Sequence, residues 1–125
     1  MLSSLIACGA VHHHLVNSHE RARIGIIVES GEAREVHHHC LLTGYGADAI
    51  NPYIAFDSIH QRFEKKLFDN FSYEKCVQQY IKSVDNGLLK IMSKMGISVL
   101  SAYRGGCNFE AIGLSRAIVA EYFPG

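Results

Sequence analysis

Arg23-Ile24-Gly25-Ile26-Ile27-Val28-Glu29 is a short, β-branched run without alternation, the pattern of a parallel strand buried on both faces. The residues after it set the fold class. Ser30 is placed to cap a helix, and Glu32 and Glu35 put negative charge into its first turn. That helix should run to about Leu42, with Gly44 or Gly46 stopping it. Ala47-Asp48-Ala49-Ile50-Asn51 reads as a second strand, and Pro52 opens a helix carried by Phe56, Ile59 and Phe63. Strand, helix, strand, helix is the alternation of an α/β chain.

On the amino-terminal side, residues 3–16 carry Leu5, Ile6, Cys8, Ala10, Val11 and Leu15 with Gly9 as the one breaker, predicting a largely buried helix that Asn17 and Ser18 end. On the other side, residues 73–95 place Val77, Tyr80, Ile81, Val84, Leu88, Met92 and Met95 on one helical face, with Gln78, Lys82, Asp85 and Lys94 largely outside it. Gly96 closes this helix. Residues 97–100 read as a third strand, and residues 109–112 and 117–122 as two short helices separated by Gly113. Three strands are too few to cover and edge an α/β sheet. The expectation is therefore α/β in incomplete β/α units with parallel strands, an excerpt of a larger α/β, barrel-like assembly.

Composition bounds what such a chain can do. Its 125 residues are 48% hydrophobic and 19% charged, which describes a globular chain and excludes disorder, collagen and coiled coil. Twelve Lys and Arg balance twelve Asp and Glu, so no basic field exists to hold nucleic acid or an acidic membrane surface. Cys8, Cys40, Cys76 and Cys107 are isolated, with no CxxC pair, and read as reduced thiols of a cytoplasmic protein. Leu5-Ile6-Ala7-Cys8 resembles a lipoprotein cleavage box, but no Lys or Arg precedes it and its apolar run is short. His12-His13-His14 interrupts the first apolar stretch before it approaches a membrane span.

Four groups of residues invite a chemical reading. His12-His13-His14 and His37-His38-His39 suggest a metal, yet consecutive helical residues diverge by about 100° and cannot converge on one ion. No two of the eight histidines stand at i and i+4; one from each triplet, with Glu35 or His60, could still meet in space. Gly44-Tyr45-Gly46-Ala47-Asp48-Ala49 fits the dinucleotide pattern by letter, but a helix precedes it and a strand follows. That order is the reverse of what phosphate binding needs, so these glycines read as a helix stop and a turn. Ser101-Ala102-Tyr103-Arg104-Gly105-Gly106-Cys107 follows a predicted parallel strand, where α/β folds place binding loops. Ser101, Tyr103 and Arg104 are its cofactor-binding candidates; the competing reading is a tight turn with Arg104 paired to a carboxylate. Cys107 lacks a histidine partner for nucleophilic work, and Lys90, Lys94, Glu29, Glu32 and Glu35 read as solvated-face residues.

A resemblance spans nearly the whole string. Ala10-Val11-His12-His13-His14-Leu15, Val28-Glu29-Ser30-Gly31-Glu32-Ala33-Arg34-Glu35-Val36-His37-His38 and Gly44-Tyr45-Gly46-Ala47-Asp48-Ala49-Ile50-Asn51-Pro52-Tyr53 resemble the glutamate synthase large subunit. So do Asn86-Gly87-Leu88-Leu89-Lys90-Ile91-Met92-Ser93-Lys94-Met95-Gly96-Ile97-Ser98, Ser101 to Gly105, and Phe109-Glu110-Ala111-Ile112-Gly113-Leu114.

The resemblance implies an oxidoreductase acting on CH–NH2 donors. Such enzymes join glutamine-derived ammonia to 2-oxoglutarate and reduce the product imine to glutamate, with FMN and an iron–sulfur cluster. Their electrons come from a small NAD(P)H-oxidising subunit or from ferredoxin. It also implies that residues 1–70 are the C-terminal part of the central domain and residues 71–125 the lead-in to the FMN-binding (β/α)8 barrel, the changeover falling within residues 62–80. The remaining domains of the large subunit are then the partners. The glutaminase cysteine, the clustered cysteines for iron–sulfur binding and the main FMN and 2-oxoglutarate segments have no counterpart here. The isolated chain is accordingly expected to bind no cofactor and to be inactive alone, with no catalytic and no metal residue. His39-Cys40 and Gly106-Cys107-Asn108 depart from the family's usual, less polar or bulkier residues. The alternative is a small standalone metal-binding or interaction module with histidine ligands.

Overall fold

A computed structural model of the chain describes residues 3–68, 70–106 and 108–123. Along the chain run α1 (Ser4–Asn17), a 3₁₀ turn at Arg21–Arg23, β1 (Ile27–Glu29), α2 (Val36–Gly44), β2 (Ala49–Asn51), α3 (Tyr53–Glu64), α4 (Tyr73–Lys94), α5 (Leu100–Tyr103) and α6 (Arg116–Tyr122). The strands pair in parallel, with Ile27 opposite Ala49, Val28 opposite Ile50 and Glu29 opposite Asn51. The architecture is helix-rich, around a parallel two-stranded sheet whose crossover is α2.

The expected double-sided burial of β1 is not what this sheet shows. Ile26 is buried and Val28 half-buried against the core, whereas Ile27 is 75% exposed on the opposite face. Alternation along the strand sends Ile27, Glu29, Ala49 and Asn51 to that bare face, where Asn51 Nδ2 donates to Glu29 Oε2 at 3.1 Å. The same one-sidedness holds in α1. Cys8, His12 and Leu15 form its buried stripe, and Val11 and Val16 lie exposed.

Helix α2 begins later than the residue pattern suggests. Ser30 Oγ accepts the Glu32 N–H at 3.0 Å, closing a turn in place of a helix cap. The cap is Glu35, in extended backbone, and His38 Nδ1 accepts the Glu35 N–H at 3.3 Å and the Arg34 N–H at 3.2 Å. Glu32 instead serves α1, whose first-turn Ser4 N–H donates to its carboxylate at 2.7 Å. At the other end, α2 stops at Gly44, and Gly46 takes a φ of +112°.

Two apolar clusters lie on opposite sides of α2. Cys8, Leu15, Ile26, Ala33, Leu42 and Ala47 form the first, with Leu5, Val28 and Ile50 packed against it. Cys40, Met92 and Tyr103 centre the second, flanked by Val36, Leu88, Ile91, Met95, Ile97 and Phe109. Helix α4 matches its predicted span to within a residue, its start fixed by Ser72 Oγ accepting from Lys75 N–H at 3.3 Å. Its apolar stripe is only partly covered: Met92 is buried, while Ile81 is exposed.

The third predicted strand is absent among the described residues. Val99 has extended backbone, but its carbonyl accepts the Ala102 N–H at 3.1 Å, so the chain turns directly into α5. Residues 109–112 are likewise not helical. Phe109 is fixed by tertiary contacts, its carbonyl accepting from Tyr45 Oη at 3.1 Å, and Ile112 is 89% exposed. The second short helix forms as α6, capped by Ser115, whose Oγ accepts from Ile118 N–H at 3.4 Å.

Glycine 87 sets how closely α2 and α4 approach. A Cβ at this position would fall inside the van der Waals envelope of the Val36 methyls. An alanine in an unobstructed helix interior would gain about 1 kcal/mol over glycine. Here overpacking against a stiff β-branched side chain outweighs that gain, and Gly87→Ala is expected to lose about 1 kcal/mol in urea unfolding. In a Val36→Ala background the same substitution is expected to become stabilising.

Candidate functional site

A polar cluster that draws several segments together centres on Asp48, in the turn between α2 and β2. Asp48 Oδ2 accepts from Arg21 Nη2 at 2.9 Å and from the Ile26 N–H at 2.7 Å, while Oδ1 meets Arg104 Nη1 at 2.9 Å. Arg21 uses the rest of its guanidinium on backbone: Nη1 donates to Ile24 O and Nη2 to Gly46 O, both at 2.7 Å. Its Nε donates to His12 Nδ1 at 3.0 Å. Three connecting segments and α1 thus meet on one carboxylate and one guanidinium.

Partial burial works to raise the Asp48 carboxyl. The Ile26 N–H, Arg21 and Arg104 outweigh it and hold the group below the ordinary aspartate value. Burial pushes the Cys8 thiol, whose Sγ donates to Leu42 O and Tyr45 O, up to about 11. Cys40 is raised by the same cause, and Tyr103 is raised too, its hydroxyl donating to Cys40 O at 2.8 Å in the interior. These thiols are packing groups held in the protonated form.

Beside the cluster lies a cavity of about 310 Å³ between β2 and α4. Ala49, Ile50, Phe56, Val84 and Leu88 supply its apolar wall, and Asp48 and Arg104 its polar rim. His39 and Tyr80 also border it, but His39 Nδ1 bonds Glu35 O at 2.9 Å and the Tyr80 hydroxyl bonds Arg34 O at 2.9 Å.

Ser101, Tyr103 and Arg104 are not brought together. Ser101 is exposed on α5, the Tyr103 ring is buried in the second apolar cluster, and Arg104 is committed to Asp48. This set does not form a cradle for a flavin phosphate. The histidine triplets fan out as their spacing demands: His12 is buried beneath Gly46, His14 is exposed, and His37 lies in solvent beside Glu35. His38 caps α2, and His60 pairs with Glu64 one turn on. Among the described residues no three His, Cys, Asp or Glu side chains assemble a metal-binding group, and Cys8, Cys40 and Cys76 do not fit an iron–sulfur cluster. Cys107 lies outside the described residues. Lys90 and Lys94 are exposed, and Glu32 and Glu35 serve helix starts.

Sequence reasoning missed the Arg21–Asp48–His12 connection. The available signal was a lone carboxylate set among small and apolar residues at positions 44–50, where a charge requires a partner from elsewhere in the chain.

The family model for the glutamate synthase central domain matches residues 1–115. The chain belongs to the glutamate synthase family. It is 51% identical over 121 residues to the NADPH glutamate synthase large chain of Bacillus subtilis (strain 168), covering 97% of this chain and 8% of that relative. Against the NADH glutamate synthase of Schizosaccharomyces pombe it is 42% identical over 125 residues, 99% of this chain and 6% of the relative. Ferredoxin-dependent glutamate synthase 2 of Synechocystis is 42% identical over 130 residues, 97% of this chain and 8% of the relative. The chain therefore spans less than a tenth of the length of these glutamate synthases. No helix among the described residues is long and apolar enough to cross a membrane.

Asp48→Asn removes the charge on which both arginines converge while keeping the side chain's size. A loss of about 2 kcal/mol in unfolding free energy is expected, most of it from Arg21 and the Ile26 N–H. Arg104 contributes little because its side chain is 39% exposed. A carboxyl lowered in the folded state stabilises at pH above its unfolded value and loses that contribution as pH falls through the folded one. The acid limb below about pH 4 in a pH series of urea midpoints should therefore be shallower in Asp48→Asn.

Proposed function

We propose that this chain works as part of a glutamate synthase, the flavoenzyme that makes glutamate from glutamine-derived ammonia and 2-oxoglutarate. Within it, these residues supply scaffold and carry no reacting group. The observation that carries this reading is the match along nearly the whole chain to relatives with three kinds of electron donor in their names. Resemblance independent of the donor fits a segment distant from donor recognition. The geometry agrees with a scaffold role: Asp48, Arg21, Arg104 and Tyr103 are committed to one another or to backbone.

In the whole enzyme the partners are the other large-subunit domains and a small NAD(P)H-oxidising subunit or ferredoxin, and the compartment is the cytoplasm. FMN supplies the redox chemistry there, with an iron–sulfur cluster, both held by residues other than these. The parallel pair β1–β2 and its exposed face at Ile27 support a place at the edge of a larger, barrel-adjoining α/β assembly. Residues 1–70 form the end of the central domain, and residues 71–125 lead towards the FMN-bearing barrel. The turn at Lys66, with a φ of 54°, separates α3 from α4 near that division, and the central-domain match continues across it to residue 115.

Two measurements test this. The purified chain, incubated with FMN and desalted, is expected to be colourless and to form no glutamate from glutamine and 2-oxoglutarate; a yellow, flavin-loaded preparation overturns the scaffold role. An antibody raised against the chain should detect a band far larger than 13.9 kDa in source cells. A band only near that mass overturns the assignment to a whole glutamate synthase.

A further inference from the structure

The His12 ring is enclosed by three connecting segments. It is 9% exposed, in the buried stripe of α1. Gly46 covers it on the Nδ1 side, where any Cβ would overlap the ring. Gly105 lies over the other edge, where a Cβ would stand 2.9 Å from Cε1. Both glycines have positive φ, +112° and +68°, so neither segment can readily be rebuilt with another residue. The third segment is the 3₁₀ turn, whose Arg21 Nε donates to His12 Nδ1 at 3.0 Å.

That bond fixes the protonation state. A guanidinium donates only, so Nδ1 must be an unprotonated acceptor, and the imidazole must be neutral with its proton on Nε2. The charged and titratable groups around the ring are Cys8 and His13 on α1, Arg21 on the 3₁₀ turn and Asp48 ahead of β2. Arg104, after α5, reaches the same carboxylate. Two guanidinium cations thus already share one carboxylate, and a charged imidazole would make it three.

We propose that His12 is an acid-sensitive latch: its neutral ring holds Arg21 and, through Arg21 and Asp48, the segment 104–106, and proton uptake at Nδ1 releases that segment from the body of the fold. The protonated ring loses the Arg21 bond, repels the guanidinium and competes with both arginines for Asp48. Gly105 is the part that lifts, because it rests on the ring and its N–H donates to Thr43 O at 3.2 Å. Burial, His13 and Arg21 all favour the neutral ring, with Asp48 opposing. A histidine lowered in the folded state stabilises above its unfolded value of 6.5 and loses that contribution as pH falls towards the folded one. The latch is therefore closed at neutral pH and opens on the acid side.

Long-range proton–nitrogen NMR spectra of the unmodified chain test the first half without any variant. His12 is expected as the Nε2–H tautomer at neutral pH, and an Nδ1–H tautomer overturns the proposal. Amide exchange from neutral pH down through the acid range, as far as the chain stays folded, tests the second half. After correction for the intrinsic rate, Gly105 protection is expected to fall by about tenfold or more across the His12 titration while α4 amides keep theirs. An equal loss in α4 means global unfolding and overturns the latch. His12→Asn keeps an acceptor near the Nδ1 position without titrating, and its Gly105 protection should be flat with pH. His13→Asn should leave the pH response intact; if His13→Asn abolishes it, or His12→Asn retains it, the latch is not His12.

Discussion

An ionised carboxylate held partly out of water must be met by donors, and the position of Asp48 fixes where those donors stand. Its oxygens are shared among the Ile26 N–H, Arg21 and Arg104. The start of β1, the 3₁₀ turn and the exit from α5 are therefore placed relative to one atom group rather than by three separate packings. Gly46 serves the same end: its positive φ lets the chain leave α2 close over His12, and its carbonyl accepts from Arg21. The polar cluster is structural in origin, and its members have little capacity left for a ligand.

Helix α2 carries the two apolar clusters and so belongs to both halves of the molecule. Leu42 packs towards α1 and the sheet, while Cys40 packs towards α4 and Tyr103. A helix covered on two sides needs apolar or small residues around much of its circumference, which explains the weak amphipathic pattern of residues 36–44. Helix α4 packs on α2 and α3 and turns Gln78, Lys82, Asp85 and Lys94 to solvent. Its periodicity is correspondingly clear.

This contrast accounts for what could be read from the amino-acid string. Helix α4 was legible because its periodicity, its Ser72 cap and its Gly96 stop agree, and the β1–α2–β2 order because a β-branched run and glycine stops mark its boundaries. Residues 97–100 were not, since Val99 turns the chain straight into α5 instead of pairing as a strand, nor were residues 109–112, where Phe109 is held by Tyr45 from a distant part of the chain. The helix start at Glu35 was obscured by Ser30, a competent cap that is used on a turn instead. Family membership was legible because the matching motifs run along nearly the full chain. Of the Asp48 cluster, the pairing of Arg104 with a carboxylate was readable, but its sharing of Asp48 with Arg21 was not, because positions 21, 48 and 104 lie far apart in the chain.

Three tyrosine hydroxyls tie the later elements to the earlier ones: Tyr80 to Arg34 O, Tyr103 to Cys40 O and Tyr45 to Phe109 O. The sequence separations bridged are 46, 63 and 64 residues. By comparison, the strand register closes over only 22 residues between Ile27 and Ala49. Loop-closure entropy favours the shorter circuit, so β1, α2 and β2 assemble before α4 and α5 have anything to dock on. On the ribosome the order is stricter still. The side of α2 that packs on α4 stays uncovered until residues 73–94 are made, and the Tyr103 hydroxyl that bonds Cys40 O follows only after them.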